Sequence, residues 1–232
     1  MDFPGLPGRL LEIRDRIRFH QARGGWSHSV RIVAVTKGHG LEAIRAGVAA
    51  GLEDIGENRV QEALAKQDRL GDLPIRWHLI GALQRNKVRH VVGRFALIHS
   101  VDRADLVREL ERRIEAVGAD GPRQPVLIEV NCSGEVAKSG VEPAGLAPLV
   151  ELVAGSPRLE LQGLMTLAAF SGEERVQHAA FGMLRKLRDE MQSAGYRLPE
   201  LSMGMSGDFP VAVEEGATMV RLGTLLFGER PR

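Results

Sequence analysis

The apolar positions of this chain fall into short runs separated by stretches of helical spacing. Arg31-Ile32-Val33-Ala34-Val35-Thr36 is a continuous β-branched run, the mark of a strand buried on both faces. Leu41, Ile44 and Val48 follow on one helix face, with Gly51 as the stop. The alternation then repeats. A weak strand over 54–56 precedes a helix from Val60 to Leu70. A strand from Arg76 to Ile80 precedes a short helix over 86–92. Phe95 to Ser100 precedes a helix carrying Leu106, Leu110, Ile114 and Val117, capped by Gly118. Pro125 to Val130 is the clearest strand, and its helix starts at Pro143 and ends near Val153. Leu159 to Thr166 precedes the strongest helix, on which Val176, Ala179, Ala180, Met183, Leu184, Leu187 and Met191 share a face and Gly195 ends the run. Strands at Glu200 to Met203 and Thr218 to Leu222 flank a short helix over 209–215. A further helix, with Leu10, Ile13 and Ile17 on one face, precedes the first strand.

Eight apolar strands, each followed by a helix, predict an all-parallel sheet covered by helices. Eight units in about 200 residues is the size of a small TIM (β/α)8 barrel. Periodicity does not show closure, so a doubly wound open sheet is the structural alternative. The expected fold is therefore α/β, a single-domain TIM (β/α)8 barrel over 1–232, with an extra N-terminal helix at about 6–23 and the barrel at about 30–230.

Composition narrows the function. Lys plus Arg is 31 against 30 for Asp plus Glu, without the basic excess that a nucleic-acid binder concentrates. Cys132 is the one cysteine, so neither an intrachain disulfide nor a cysteine-rich metal site can form. That fits a reducing compartment. The start, Met1-Asp2-Phe3-Pro4, lacks the basic and apolar regions of a secretory signal, and no apolar run approaches the roughly 18 residues of a membrane span. The expected location is cytoplasmic, and no His/Cys/Asp/Glu cluster has a metal spacing.

Barrel chemistry sits at the C-terminal ends of the strands. There the chain places Lys37, Asn58, Gly81, Ser100 with Asp102, Asn131, Thr166, the run Met203 to Asp208, and Arg221 followed by Gly223-Thr224. Barrels often bind phosphate with the loops after strands seven and eight and a helix N-terminus. Ser206-Gly207 and Gly223-Thr224 occupy those loops, glycines letting backbone N–H groups approach an anion and hydroxyls donating to it. Read blandly, they are tight turns and caps. Lys37 ends a buried strand, and burial that lowers a lysine pKa frees an amine to attack an aldehyde. Otherwise it is a lysine snorkelling to solvent. A lysine facing a phosphate site points to an aldehyde bearing a phosphate, either pyridoxal 5′-phosphate (PLP) or a sugar phosphate. His78 and His99, inside apolar strands, read as hydrogen-bonded core or barrel-mouth residues rather than bases. His39, between two glycines, reads as exposed, Cys132 as a small buried residue, and Glu109, Glu111, Arg112, Arg113 and Glu115 as a solvated helix face.

These motifs together resemble a known family. Ala34-Val35-Thr36-Lys37, Gly56-Glu57-Asn58, Trp77 to Gly81 with Leu83-Gln84-Arg85-Asn86-Lys87, and Ser100-Val101-Asp102 occur in its order. So do Glu129-Val130-Asn131, Ser133-Gly134-Glu135, Lys138-Ser139-Gly140, Gly163 to Thr166, Leu201 to Ser206 and Val220 to Thr224 with Phe227-Gly228. The set is similar to the PLP homeostasis proteins, whose barrel is like the N-terminal half of alanine racemase. The resemblance implies that Lys37 holds PLP as an internal aldimine and that Ser206, Gly223 and Thr224 cradle its phosphate. It places Arg221 at the pyridine nitrogen and Asn58 and Met165 near the ring. Two departures stand out. Gly38-His39-Gly40 replaces a polar or Pro-containing stretch, loosening the loop and adding a titratable group. Arg59 replaces a tyrosine near the mouth.

A racemase needs a second base, in fold relatives a tyrosine from another domain. The single tyrosine here, Tyr196, precedes a strand and so belongs to the other end of the barrel. A cation at the pyridine nitrogen also makes the ring a weaker electron sink. The resemblance thus implies a non-enzymatic PLP carrier, expected to be a monomer because it lacks the second domain that builds racemase dimers, with apo PLP-dependent enzymes as partners. A small PLP-dependent racemase-like enzyme and a cofactor-free aldolase acting on a sugar phosphate are the alternatives.

Overall fold

The computed structural model describes residues 3–71, 73–118, 123–135, 139–167 and 172–229. Lys138 of the sequence motif lies outside the described residues, as do Met1 and Asp2. Eight strands run in chain order: β1 Arg31–Val35, β2 Asp54–Glu57, β3 Arg76–Leu79, β4 Leu97–Val101, β5 Gln124–Glu129, β6 Leu159–Met165, β7 Glu200–Ser202 and β8 Met219–Leu222. Each pairs in parallel with the next, and β8 pairs with β1 from Arg31↔Met219 to Ala34↔Leu222. The sheet is therefore closed, which overturns the open-sheet alternative.

Helices α2 Leu41–Ala49, α3 Val60–Gln67, α4 Ala104–Val117, α5 Leu146–Ala154, α6 Glu174–Ser193, α7 Phe209–Glu214 and α8 Thr224–Phe227 follow strands, and a 3₁₀ turn over Arg85–His90 follows β3. Two apolar layers result. The larger fills the space between sheet and helices, with Ile44, Ile55, Leu79, Leu106, Leu110 and Phe181 all buried. The smaller lies inside the barrel and consists of Val33, Leu97, Leu127, Met165 and Met219, with Ile80 and Leu167 packed against it.

The extra helix, α1 Leu6–Gly24, buries Leu6, Leu10, Ile13 and Ile17. It packs on α7 and α8. Arg9 Nε donates to Leu226 O at 2.9 Å and Trp26 Nε1 to Glu214 O at 2.7 Å, so polar bonds anchor it near both ends. No helix among the described residues is long and apolar enough to cross a membrane.

Several side chains depart from the sequence pattern. Val117 closes α4 and is 75% exposed, the periodic face having run past its packing surface. Met183 is 43% exposed. The buried stripe of α6 is Gln177, Ala180, Phe181 and Leu184, and Met183 lies about 100° round the helix from Leu184. Glu109 is buried rather than solvated, accepting from Arg112 Nη2 at 2.7 Å and Arg113 Nε at 2.8 Å.

Candidate functional site

A cavity of about 480 Å³ opens at the C-terminal ends of the strands. Lys37, Asn58, Ser206, Arg221, Gly223 and Thr224 all line it.

Lys37 follows β1 and is half-buried. The chain is anchored on both sides of it. Thr36 Oγ1 donates to Glu57 Oε1 at 2.6 Å. Lys66 Nζ, from α3, donates to Thr36 O at 2.9 Å and to Glu57 Oε1 and Glu62 Oε1, each at 2.7 Å. Glu62 Oε1 accepts in turn from the Gly38 amide at 2.8 Å. Burial pushes the Glu57 carboxyl up, opposed by the bonds from Lys66 and Thr36. Gly38 sits at φ +74°, a turn that a side chain would strain. His39 is buried, not exposed, with its ring 6.4 Å from that of Phe3 and 5.7 Å from that of Phe227. The Gly-His-Gly loop is therefore pinned at Gly38 and His39 rather than loosened, because ring packing and the Glu62 bond replace the restraint a proline would give.

The opposite wall is built from the ends of β7 and β8. Gly204, at φ +92°, turns the chain so that Met205, Ser206 and Gly207 reach the cavity. Asp208 Oδ1 accepts from the Met205 amide at 2.5 Å, and the Leu225 amide donates to Ser206 Oγ at 3.4 Å, tying the two loops together. Burial pushes the Asp208 carboxyl up, against the Met205 amide and Arg221. Gly81 lets β3 pass close to Asn58; a Cβ there would lie 2.3 Å from Asn58 O.

Arg221 is 3% exposed. Its Nη1 donates to Ser202 O at 2.8 Å and Ser202 Oγ at 2.6 Å, and its Nη2 to Thr166 O at 2.8 Å. Among the described residues these acceptors use three of the five guanidinium N–H donors. Burial pushes its pKa down to about 10, with the charges of Asp208 and Glu129 opposing, so it stays cationic near neutrality.

Met165 does not line the cavity. Its side chain belongs to the apolar layer inside the barrel, and Ile80 and Leu167, packed on that layer, form the wall instead. Cys132 is buried, and burial pushes its thiol up to about 11, which leaves it a poor nucleophile. Asn131 and Ser100 serve the scaffold. Asn131 Oδ1 accepts from Ser133 Oγ at 2.8 Å, and Ser100 Oγ donates to Gly81 O at 2.7 Å. Tyr196 lies with Arg123, Leu159 and Pro199, at the strand-start end of the barrel.

Glu129 and Ser139, quoted in the sequence only as members of the family motifs and not as site candidates, also line the cavity. Glu129 ends β5 with its side chain in the cavity, accepting from Ser139 Oγ at 2.5 Å. Burial pushes its carboxyl up, with Ser139 opposing. The signal existed: Leu127 faces the barrel interior, so residue 129 must as well. Ser139 reaches the cavity through the loop after β5, which no periodicity reports.

A closed parallel barrel, with a lysine after its first strand and glycine- and hydroxyl-bearing loops after its last two opening on one cavity, defines a class of (β/α)8 proteins with a site at the strand ends. Residues 10–231 match the model of the alanine racemase N-terminal domain. The chain belongs to this family, among the pyridoxal phosphate homeostasis proteins. It is 45% identical over 224 residues to the pyridoxal phosphate homeostasis protein of Aquifex aeolicus, covering 96% of this chain and 97% of that one. Identity to the protein of that name from Pseudomonas aeruginosa is 45% over 222 residues, covering 95% and 94%. The structure of PipY from Synechococcus elongatus with PLP bound matches with a TM-score of 0.83 at 38% identity, covering 96% of this chain and all of that one. Alanine racemase from Clostridium difficile shares the fold, with a TM-score of 0.72 at 14% identity over 94% of this chain and 58% of that one.

Proposed function

We propose that this chain binds pyridoxal 5′-phosphate in the Lys37 cavity and serves the homeostasis of that cofactor. The observation that carries the reading is convergence: an amine, two anion-accepting loops and a buried arginine open on one cavity of about 480 Å³. That volume lies within the range of small-molecule sites, roughly 300–1,000 Å³. The names of the relatives and the PLP-bound PipY structure support it.

The residues present fit the group. When bound, PLP supplies an aldehyde that condenses reversibly with an amine. Among the described residues Lys37 is the lysine that lines the cavity. Ser206, Gly223 and Thr224 offer hydroxyl and backbone N–H donors to a phosphate. Arg221 would present its cation to the ring nitrogen, and Asn58, Ile80 and Leu167, which line the same cavity, would hold the ring. The reading takes 1–232 as one PLP-binding domain working in the cytoplasm.

The role we infer is carrier rather than enzyme, with apo PLP-dependent enzymes as recipients. Tyr196, the one tyrosine of the chain, lies at the opposite end of the barrel and supplies no base to the cavity. A monomeric state belongs to the same reading. The large exposed apolar side chains, Leu11, Phe19, Val117 and Met183, are spread over three helices rather than gathered in one patch.

The test is to incubate the protein with PLP, record its visible spectrum, reduce with borohydride and map the modified peptide by mass. A yellow protein carrying a pyridoxyl-phosphate adduct on Lys37, lost in Lys37→Ala, is expected. A colourless protein without adduct overturns the cofactor assignment. Robust turnover of an amino acid, abolished by Lys37→Ala, overturns the carrier role and leaves the site in place.

A further inference from the structure

The apolar layer inside the barrel is crossed by a column of buried polar side chains. It starts at the strand-start end, where Asp54 lines a second cavity of about 470 Å³ with Arg76. Arg76 holds Asp54 through both carboxylate oxygens, with Nε to Oδ1 at 2.9 Å and Nη2 to Oδ2 at 2.7 Å. His78 Nε2 meets Asp54 Oδ1 at 2.8 Å, and His78 Nδ1 meets His99 Nε2 at 2.9 Å. His99 Nδ1 meets Ser202 Oγ at 2.9 Å, and Ser202 Oγ accepts from Arg221 at 2.6 Å. His78, His99 and Ser202 are each no more than 1% exposed. The column thus joins a carboxylate at one end of the barrel to the arginine on the wall of the ligand cavity at the other.

Hydrogen-bond accounting fixes its direction. An Asp54 carboxylate held by Arg76 only accepts, so His78 Nε2 carries a proton. Ser202 Oγ accepts from Arg221, and its own hydrogen needs an acceptor. Among the described residues His99 Nδ1 is the acceptor within reach, so that nitrogen is unprotonated and His99 Nε2 carries the proton. His99 Nε2–H then donates to His78 Nδ1, and both imidazoles are neutral with the proton on Nε2. Each hydrogen in the column points away from Arg221 and toward Asp54. Ser202 therefore turns a lone pair, rather than its proton, to the guanidinium. The opposite polarity would have His99 donate to Ser202 Oγ, in competition with Arg221, and would strand the hydroxyl proton in an apolar interior.

We propose that Asp54, His78, His99 and Ser202 are positioning residues for the cofactor site: the carboxylate sets the tautomers of both histidines, and these hold Ser202 in the orientation that fixes Arg221 in the cavity wall. This rests on the assignment of that cavity to PLP. The sequence marks both histidines as hydrogen-bonded core or barrel-mouth residues, and the partners that make them a directed chain come from four different strands.

The experiment has two arms. In the first, two-bond ¹H–¹⁵N correlation spectra are recorded on the ligand-free protein. Wild type should show the Nε2–H tautomer at His78 and His99, and Asp54→Asn, whose amide can donate to His78 Nε2, should convert both to Nδ1–H. In the second, PLP binding is titrated by visible absorbance. Asp54→Asn and Ser202→Ala should each weaken binding about tenfold, as loss of one charge-assisted bond predicts, while borohydride still labels Lys37. Ser202→Thr, which keeps the hydroxyl, should restore near wild-type binding. Nδ1–H tautomers in wild type, or unchanged binding in Ser202→Ala, would overturn the proposal, and Ser202→Ala decides it if Asp54→Asn fails to fold. A wild-type protein that takes up no PLP would instead refute the cofactor assignment and, with it, the positioning role, while the tautomer arm would still report the direction of the column.

Discussion

Glu129 shows how much a single buried carboxyl can reveal. Its folded pKa is raised, so the folded state favours the protonated acid. The stability this gives is present below the unfolded carboxyl value and is lost as the pH rises through the folded value. Glu129→Gln keeps an acceptor for Ser139 and removes the titration. Thermal melts of the ligand-free variant should therefore show a higher Tm than wild type at pH 8, and a smaller gain at pH 4. Gly81 gives a second residue-scale expectation. A methyl 2.3 Å from Asn58 O cannot be accommodated without moving backbone. Gly81→Ala should cost about 1–3 kcal/mol in urea unfolding, as overpacking does, and should weaken PLP binding because Asn58 is displaced. At this scale the sequence was informative where a residue's strand end or parity decides its position. Lys37, Asn58, Ser206, Arg221, Gly223 and Thr224 line the cavity as the barrel rule requires. Met165 sits one layer deeper, behind Ile80 and Leu167, because strand position alone does not tell which layer of the barrel interior a side chain occupies. His39 was misjudged because its burial depends on Phe3 and Phe227, which are distant in the chain.

Between elements, the contact that matters most to Lys37 is made by α3. Lys66 reaches from that helix to the end of β1 and neutralises Glu57, which is 0% exposed. Lys66→Met would leave a buried carboxylate without its counter-charge, and breaking a buried pair in this way costs about 3–5 kcal/mol. Urea unfolding of Lys66→Met should show that loss, and Lys66→Met with Glu57→Gln should recover much of it, since the uncompensated charge is gone. Helices and strands of ordinary length were readable from their periodicity. The α8 turn was not, because four residues carry no period. The stripe of α6 was read with the wrong centre, since Phe181 and Gln177 are buried there and Met183 is not.

At the scale of the whole molecule, closure is the property that the sequence pattern could suggest and only three-dimensional pairing could establish. The βα alternation counts units, whereas the β8–β1 register makes the barrel. The N-terminal helix is part of the same packing: its buried face meets α7 and α8, and α8 follows the Gly223-Thr224 loop. It should therefore unfold with the barrel. The two tryptophans report the two parts separately, Trp26 bonded to Glu214 beside α7 and Trp77 in β3. Urea melts of Trp26→Phe and Trp77→Phe, each followed by the fluorescence of the remaining indole, should both fit two-state transitions. The midpoints, corrected for each variant's stability by circular dichroism, should agree between the fluorescence and the backbone signal.

The lone thiol of Cys132 gives the protein an internal clock. It is sealed three residues beyond β5, and an aromatic disulfide reagent can reach it only when that part of the wall opens. Where reclosing outpaces labelling, the labelling rate counts how often the wall is open. Any occupant that binds only the closed form slows that rate by the factor 1 + [L]/Kd. One colorimetric time course thus reads breathing and ligand occupancy together, with no fluorophore attached and no residue changed.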